Sequence, residues 1–441
     1  MPRLFGTDGV RGVANRDLTP DLALALGRAA GSILAPGGEV VVGRDTRVSG
    51  PMLEGALVAG LCSAGADVRV AGIIPTPAVA WLTVEDKAQA GAAISASHNP
   101  VADNGIKFFS AEGLKIPATM EEAVEKLMSE PTRALPQGEH VGGAEPITDA
   151  AHRYVAYLTE TVDSLAGLRV VLDCAFGAAW SVGPLAFRAA GADVVALHDE
   201  PDGTRINVDC GSTSLGELAR AVLEHDADLG IALDGDADRA LAVDEKGRTV
   251  DGDHILAMSA IRLQDAGELD NDLVVATVMA NMGFRRALEQ RGIKVVSTPV
   301  GDRFVAQAMA DSGAVLGGEQ SGHVIFGRHS TTGDGLLTGL KVAEALATSG
   351  ARLSDLASVF QPYPQVLISI SVTARDDLAG AAAVWEEVRA AEESLGAEGR
   401  VLVRASGTEP VVRVMVEAAD HGAAQAAAQR LATAVRRNLG K

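Results

Sequence analysis

Three carboxylates stand at alternate positions in Leu233-Asp234-Gly235-Asp236-Ala237-Asp238-Arg239, between the apolar segments 229–233 and 240–243. Hard oxygen donors beside a glycine that lets the backbone curl suit Mg²⁺, and without a cation they would repel one another. An EF-hand would also use such a run, with Glu245 at its twelfth position. Its sixth position, however, is Arg239 where that loop needs glycine, and the flanks read as strands rather than helices. A solvated acidic turn is the plainer alternative.

A second loop, Ser95-Ala96-Ser97-His98-Asn99-Pro100, leaves an apolar strand and returns through Asp103-Asn104-Gly105 into Ile106-Lys107-Phe108-Phe109. A serine held between strand and turn is a candidate nucleophile. The adjacency of Ser97 and His98 is no evidence for a catalytic triad, because neighbours in extended chain point to opposite sides. A polar turn shaped by Asn99 and Pro100 would use the same residues. In Gly317-Gly318-Glu319-Gln320-Ser321-Gly322-His323 the glycines permit close approach of a ligand. Glu319 and Ser321 offer an acceptor and a donor for sugar hydroxyls, and His323 is either catalytic or a hydrogen-bonded structural residue. Finally, Arg404-Ala405-Ser406-Gly407-Thr408-Glu409-Pro410, with Arg413 beyond, combines guanidinium forks, hydroxyls and a freed backbone. That set makes a phosphate cradle, and a Ser-Gly turn with surface arginines is its alternative. A hydroxyl nucleophile, a divalent cation, hydroxyl-binding groups and a separate phosphate anchor together describe phosphoryl transfer on a phosphorylated polyol.

These loops need strands to hold them. Val- and Ile-rich runs alternate with Ala-rich helical stretches, which is the pattern of α/β domains with parallel strands. A unit in which a glycine ends a helix and a valine-containing strand follows recurs at Gly65-Ala66-Asp67-Val68, Gly191-Ala192-Asp193-Val194 and Gly292-Ile293-Lys294-Val295. The glycines fit the left-handed position that closes a helix. Residues 131–146, rich in Pro, Gly and polar groups, read as a linker, with further breaks near Val250-Asp251-Gly252 and Tyr363-Pro364. Beyond the last break the order strand, helix, strand, strand, helix predicts a small α+β domain. The strands fall at 365–372, 400–404 and 411–417, the helices at 377–395 and from about Ala423.

The chain has 441 residues and a formal charge of −20, which argues against a nucleic-acid partner. An anionic small molecule stays open, since it feels local charge. Aromatic residues are only 3%, thin for stacking platforms. The N-terminus has no apolar signal region, and the longest apolar stretches fall short of the roughly 20 residues of a membrane helix. Cys62, Cys174 and Cys210 are scattered, which reads as buried thiols rather than a disulfide or zinc framework. The expectation is a cytoplasmic protein without membrane partners.

With these loops in order, the sequence resembles the α-D-phosphohexomutase family, nearest its bacterial branch acting on glucosamine phosphates. The resemblance covers essentially the whole chain, from Phe5-Gly6-Thr7-Asp8-Gly9-Val10-Arg11-Gly12 to the Arg404 loop. The branch rests on that signature, on Thr298-Pro299-Val300-Gly301-Asp302-Arg303, and on Gln320, where relatives acting on glucose or mannose phosphates often carry Met. The resemblance implies three related α/β domains with mixed, largely parallel sheets and a smaller α+β C-terminal domain around a central cleft. Their expected spans are 1–148, 149–250, 251–364 and 365–441. It implies that Ser97 is carried as phosphoserine and that Asp234, Asp236 and Asp238, with that phosphate, hold Mg²⁺. Arg11, Lys107 and Arg239 would line the reacting phosphate, with Lys107 a general acid/base candidate and His98 and His323 further catalytic candidates. Gly301, Asp302, Arg303, Glu319 and Ser321 would bind the sugar. Arg404, Ser406, Gly407, Thr408 and Arg413 would bind the non-reacting phosphate. The implied activity interconverts glucosamine 6-phosphate and glucosamine 1-phosphate through a 1,6-bisphosphate, supplying amino-sugar nucleotide and cell-wall precursor synthesis. Glucosamine or glucose 1,6-bisphosphate would be the activator, and a homodimer is allowed. A glucose- or mannose-phosphate mutase and a non-catalytic phosphosugar-binding protein are the alternatives. Two departures stand out: relatives acting on mannose and glucose phosphates often place His where this chain has Asp302-Arg303, and Ala237 replaces a common glycine.

Overall fold

The computed structural model describes residues 4–6, 8–130, 134–373, 375–406 and 411–440, with only the backbone of 375 and 376. It forms two compact units, Met1–Met279 with Gly292–Val359, and Ala280–Arg291 with Phe360–Lys441.

The first unit holds three sheets. The first contains β1 (Val10–Val13), β2 (Glu39–Arg44), β3 (Asp67–Ile73), β4 (Ala90–Ile94), β5 (Asp103–Ser110) and β6 (Ala144–Pro146) in the order β1-β5-β4-β2-β3-β6. The second contains β7 (Arg169–Asp173), β8 (Asp193–Leu197), β9 (Leu229–Leu233), β10 (Ala240–Asp244) and β11 (Thr249–Val250) in the order β11-β10-β9-β7-β8. The third contains β12 (Leu273–Thr277), β13 (Lys294–Thr298), β14 (Leu316–Gly318) and β15 (Val324–Phe326) in the order β13-β12-β14-β15. One plan underlies all three. Three neighbouring strands run parallel and the next is antiparallel, as β3-β2-β4 with β5, β8-β7-β9 with β10, and β13-β12-β14 with β15.

The composition of the strands follows from this arrangement. Parallel strands covered on both faces read as continuous apolar runs, and every residue of β4, β9 and β12 is buried. The recurring glycines have positive φ, +89° at Gly65, +103° at Gly191 and +77° at Gly292, so each lets a helix stop just before a parallel strand. Helix starts are capped as their sequences suggest: Thr19 accepts from the amide of Leu22 before Pro20–Leu34, and Asp251 from that of His254 before Gly252–Asp265.

The stretch read as a linker is only partly one. Residues 144–146 form β6 and pair in parallel with β3 at the sheet edge, where Pro146 is tolerated because no further strand needs its missing N–H. Cys174 and Cys210 are buried free thiols, while Cys62 is half-buried and donates to the Gly143 carbonyl.

The second unit carries an antiparallel sheet, β16 (Gln365–Ser371), β17 (Gly399–Ala405) and β18 (Val411–Ala418), in the order β16-β18-β17. The helices Ala382–Leu395 and His421–Leu439 pack their apolar residues on it, with Val384, Leu431 and Val435 fully buried beside Val412, Val414 and Val416. Among the described residues no helix is long and apolar enough to cross a membrane.

Candidate active site

In each of the three related sheets the turn from the last parallel strand into the antiparallel one carries polar chemistry. The β4–β5 turn carries Ser97, the β9–β10 turn the acidic triplet, and the β14–β15 turn Glu319, Ser321 and His323. A single topological position therefore supplies all three loops, and within the first unit the structure brings them together.

Ser97 is buried and its backbone is left-handed, φ +52°, a conformation a residue with a Cβ rarely adopts. Because the chain here is not extended, the side chains of Ser97 and His98 do not diverge. Ser97 Oγ lies 3.1 Å from His98 Nδ1 and donates to Asp234 Oδ2 at 2.5 Å. Burial first, then Arg239 and Arg11, push the His98 imidazole down to about 4, so it is neutral at neutral pH. The Ser97 loop and the acidic loop touch directly: a Cβ at Gly235 would stand 2.7 Å from the Ser97 carbonyl oxygen, so only glycine fits.

Asp234, Asp236 and Asp238 are all buried, and each turns one carboxylate oxygen to within 4.8 Å of the others. Thr76 donates to Asp236 Oδ2 at 2.6 Å, and the Arg239 amide to Asp234 Oδ1 at 3.2 Å. Asp236 Oδ1 and Asp238 Oδ1 are buried without a hydrogen bond among the described residues. Desolvation, then Asp238 and Asp236, drive the Asp234 carboxyl well above its ordinary range. Asp238 goes the other way: burial opposes its charge, but Lys107, His323 and Arg239 hold it well below.

Lys107, on β5, is a buried cation of this cluster. Its Nζ stands 2.9 Å from Asp236, 3.2 Å from Asp8 and 3.5 Å from Asp238. Burial weakens its charge, but Asp236, Asp8 and Asp238 outweigh that and raise its pKa. Arg11, on β1, pairs with Asp8 and donates to Asn99 Oδ1 at 3.2 Å. The Arg239 Nε lies 3.8 Å from Asp238.

The third loop closes the site from the third sheet. The Glu319 amide donates to the His323 carbonyl, and Glu319 Oε1 accepts from the Gly301 amide at 3.1 Å. Ser321 Oγ donates to Glu319 Oε2 at 3.2 Å. His323 is buried, with Nε2 accepting from the Gly333 amide at 3.0 Å and Nδ1 3.7 Å from Asp238. Burial opposes its protonation, but Asp238 outweighs this and raises its pKa. Asp302 pairs with Lys115, which also reaches Asp8, and it lies within 4.8 Å of Asp238 and His323. The Arg303 guanidinium turns instead to Glu121, on the helix Ala118–Ser129.

In the second unit, Arg404 and Arg413 face each other across β17 and β18, and the Ser406 amide donates to the Val411 carbonyl. Ser406 is buried. Gly407 and Thr408 lie outside the described residues.

Sequence reasoning missed Asp8, Asp45, Arg47, Thr76, Asn207 and Lys115. Asp8 sits inside the N-terminal signature, and Asp45-Thr46-Arg47 directly follows an apolar strand. Position after a strand was the available signal for that pair, whereas nothing local marks Thr76 or Asn207.

Models of the phosphoglucomutase/phosphomannomutase family match in order: alpha/beta/alpha domain I over residues 2–134, domain II over 152–247, domain III over 251–363 and the C-terminal domain over 367–434. A phosphoglucosamine mutase of Moorella thermoacetica is 53% identical over 426 residues, 95% of this chain and 96% of that one. One of Salinispora tropica is 52% identical over 445 residues, 99% of each. Among solved structures, a phosphoglucomutase/phosphomannomutase family protein of Burkholderia thailandensis superposes with a TM-score of 0.85 at 26% identity, covering 100% of this chain and 99% of that one. The N-acetylphosphoglucosamine mutase of Aspergillus fumigatus, solved with GlcNAc-6P and magnesium, shares the fold at a TM-score of 0.71 and 18% identity, covering 99% and 96%.

Proposed function

The chain belongs to the phosphoglucomutase/phosphomannomutase family, and we propose from its site that it moves a phosphoryl group between the 6- and 1-positions of glucosamine by way of Ser97. It is an isomerase, a phosphoglucosamine mutase like its relatives. The observation that carries the chemistry is the contact of Ser97 Oγ with Asp234, inside a buried carboxylate triplet flanked by Lys107, Arg11 and Arg239.

The residues fit a divalent cation. Asp236 Oδ1 and Asp238 Oδ1 are buried hard-oxygen donors without hydrogen bonds, the kind Mg²⁺ takes. Asp234, Asp236 and Asp238, with a phosphate on Ser97, would hold it, and when bound it supplies charge neutralisation at the phosphoryl group. The chain's own residues do the rest. In glucosamine 6-phosphate the O1 hydroxyl attacks the phosphorus of phospho-Ser97. The bond from Ser97 Oγ to phosphorus breaks, the proton released by O1 ends on Ser97 Oγ, and a 1,6-bisphosphate forms. After the bisphosphate turns over, Ser97 Oγ attacks the 6-phosphoryl group, the bond from O6 to phosphorus breaks, the serine's proton ends on O6, and glucosamine 1-phosphate leaves the rephosphorylated enzyme. Lys107, Arg11 and Arg239 stabilise the oxygens of the moving group through fixed positive charge. Glu319 and Ser321 orient the sugar hydroxyls, while Gly301, Asp302 and Arg303 shape that subsite. Arg404, Ser406, Gly407, Thr408 and Arg413 hold the phosphate that is not reacting. Glucosamine or glucose 1,6-bisphosphate would restore phosphate to a bare Ser97. We place the enzyme in the cytoplasm, beside the phosphosugars it would use.

The test pairs intact mass with turnover. The wild-type protein should carry one phosphate that Ser97→Ala lacks, and Ser97→Ala should not convert glucosamine 6-phosphate. Full activity in Ser97→Ala would sink the mechanism. Turnover of glucose or mannose phosphates faster than glucosamine phosphate would overturn the substrate.

A further inference from the structure

The loop that bears Ser97 wraps around one arginine from another strand. Arg47, just past β2, is completely buried, and each of its five N–H groups has an acceptor. Nε donates to Asp45 Oδ2 at 3.0 Å; Nη1 to the carbonyls of Pro100 at 2.5 Å and Asp103 at 2.9 Å; Nη2 to those of Ser97 at 2.9 Å and Asn99 at 2.8 Å. A guanidinium has five donors in a fixed planar fork, and here the fork is used in full. Four of those acceptors are backbone carbonyls of the loop and its return into β5.

The other side of Ser97 leads to the same pair. The Ser97 amide donates to Ser95 Oγ at 2.9 Å, and Ser95 Oγ–H donates to Asp45 Oδ2 at 2.6 Å. Asp45 also accepts the Arg47 amide at 2.9 Å, so it is fixed in turn. The peptide groups on both flanks of Ser97, its N–H and its C=O, thus end on one buried ion pair that cannot slide. A support from the second sheet's domain, the Asn207 side chain, donates to the Ser97 carbonyl at 2.9 Å. An ion pair this deeply buried is a poor source of stability in itself, since desolvation cancels most of the attraction. What it supplies here is direction: it holds Ser97 at φ +52°, the backbone state that aims Oγ at Asp234.

We propose that Asp45 and Arg47 are positioning residues of the phosphoryl-transfer reaction, fixing the Ser97 backbone so that Oγ and its phosphoryl group stay in line with the sugar hydroxyl. They act through the loop and touch neither substrate nor the transferred group. This rests on the reading of Ser97 as the phosphoryl carrier.

The experiment uses the full-length enzyme and three variants, assayed well below their unfolding temperatures. Arg47→Lys keeps the charge but has three donors at one point, which cannot reach Asp45 and four carbonyls together. A displacement of about 1 Å costs on the order of 100-fold in rate. Arg47→Lys is therefore expected to bind phosphate on Ser97 and to lose about 100-fold in kcat with KM within threefold of wild type. Ser95→Ala removes the acceptor of the Ser97 amide and one donor to Asp45, without an internal charge change, and covers the case in which Arg47→Lys does not fold. It should lose about tenfold in kcat with KM unchanged, and the buried amide left without its acceptor should lower the melting temperature by a few degrees. Wild-type kcat in either folded variant overturns the proposal, as does a loss that resides in KM. Ser97→Ala separates the two levels. An unphosphorylated wild type, or an active Ser97→Ala, defeats the carrier reading itself; a phosphorylated wild type with fully active Arg47→Lys defeats the positioning role alone.

Discussion

Replacing Lys107 by Met removes one positive charge from the carboxylate cluster while nearly preserving side-chain volume. The ammonium is 1% exposed and lies 2.9, 3.2 and 3.5 Å from Asp236, Asp8 and Asp238. At an effective dielectric of about 20, each contact near 3 Å is worth roughly 5 kcal/mol before desolvation, and burying the ion consumes several kcal/mol of that. Losing one partner of such a buried pair costs about 3–5 kcal/mol, because the carboxylates left behind are uncompensated. For a unit of this size, a kcal/mol moves the melting point by roughly 2 °C, so Lys107→Met should melt about 6–10 °C lower in a chelating buffer. Magnesium should then close about a third of the gap. A cation entering the wild-type cluster competes with the ammonium for the same carboxylates, whereas in the variant it meets unneutralised charge. A tenfold tighter Mg²⁺ affinity adds about 1.4 kcal/mol at saturating metal. Calorimetric scans of both proteins with chelator and with Mg²⁺ would measure this. Equal melting points without metal, or a Mg²⁺ gain no larger in the variant than in wild type, would refute the charge argument.

Other changes probe the loops and the pH response. Gly235→Ala places a Cβ where 2.7 Å separates it from the Ser97 carbonyl, so the two loops must part, and turnover of glucosamine 6-phosphate should fall more than tenfold. Ala237 sits at φ +55°, where a Cβ costs roughly 1–2 kcal/mol; Ala237→Gly trades that strain for chain entropy and should leave the melting point equal or higher, whereas a lower one would show that the methyl group's packing matters more. Asp334 caps the helix Gly335–Ser349 and accepts from Tyr154 at 2.6 Å, and burial pushes its carboxyl up to about 6. A raised acid binds its proton more tightly in the folded protein, so this group is most favourable at low pH and costs about 3 kcal/mol as pH rises from about 4 to 6. Asp334→Asn should remove that slope, seen as a wild-type-minus-variant difference in denaturation free energy between pH 4.5 and 7; parallel curves would show that Asp334 is ionised throughout.

The legible parts of this protein were those written in local pattern. Continuous apolar runs announced the buried parallel strands, and alternation announced β16, whose Val366 and Ile370 point inward while Leu367 is half exposed. The acidic triplet was legible because alternate carboxylates in a glycine turn have few other uses. Ser97 was legible as a residue but not as a geometry, since left-handed φ at a non-glycine position is imposed by its surroundings. Arg47 shows why the surroundings stayed hidden. Its partners are carbonyl oxygens 50 and more positions away, and a backbone acceptor leaves no mark on the sequence. Arg303 gives the converse case, a guanidinium expected at the sugar whose closest described partner is Glu121. Charge alone could not say which acid it would meet. The 144–146 strand was hidden by its composition, because edge strands accept the Pro and Gly that central strands exclude.

The balance of charge in the cluster gives a reason for the proposed phosphoserine and metal to arrive together. Asp8, Asp234, Asp236, Asp238 and Asp302 face Arg11, Lys107, Lys115 and Arg239 through a continuous set of contacts. Among these nine groups the carboxylates outnumber the cations by one, and Asp234 is a carboxyl that burial and its two acidic neighbours drive toward the protonated form. The resident groups alone are therefore close to neutral, which a buried site requires. A phosphoryl group on Ser97 brings nearly two negative charges at neutral pH, and a divalent cation brings two positive ones. Arriving together they leave the resident balance unchanged, whereas either alone would leave a buried excess near two charges within a few ångströms of Asp234. The whole-chain charge of −20 has no bearing on that local sum. What decides it is which carboxylates Lys107 and Lys115 can reach, and that was settled when β5 was placed beside β1 and β4.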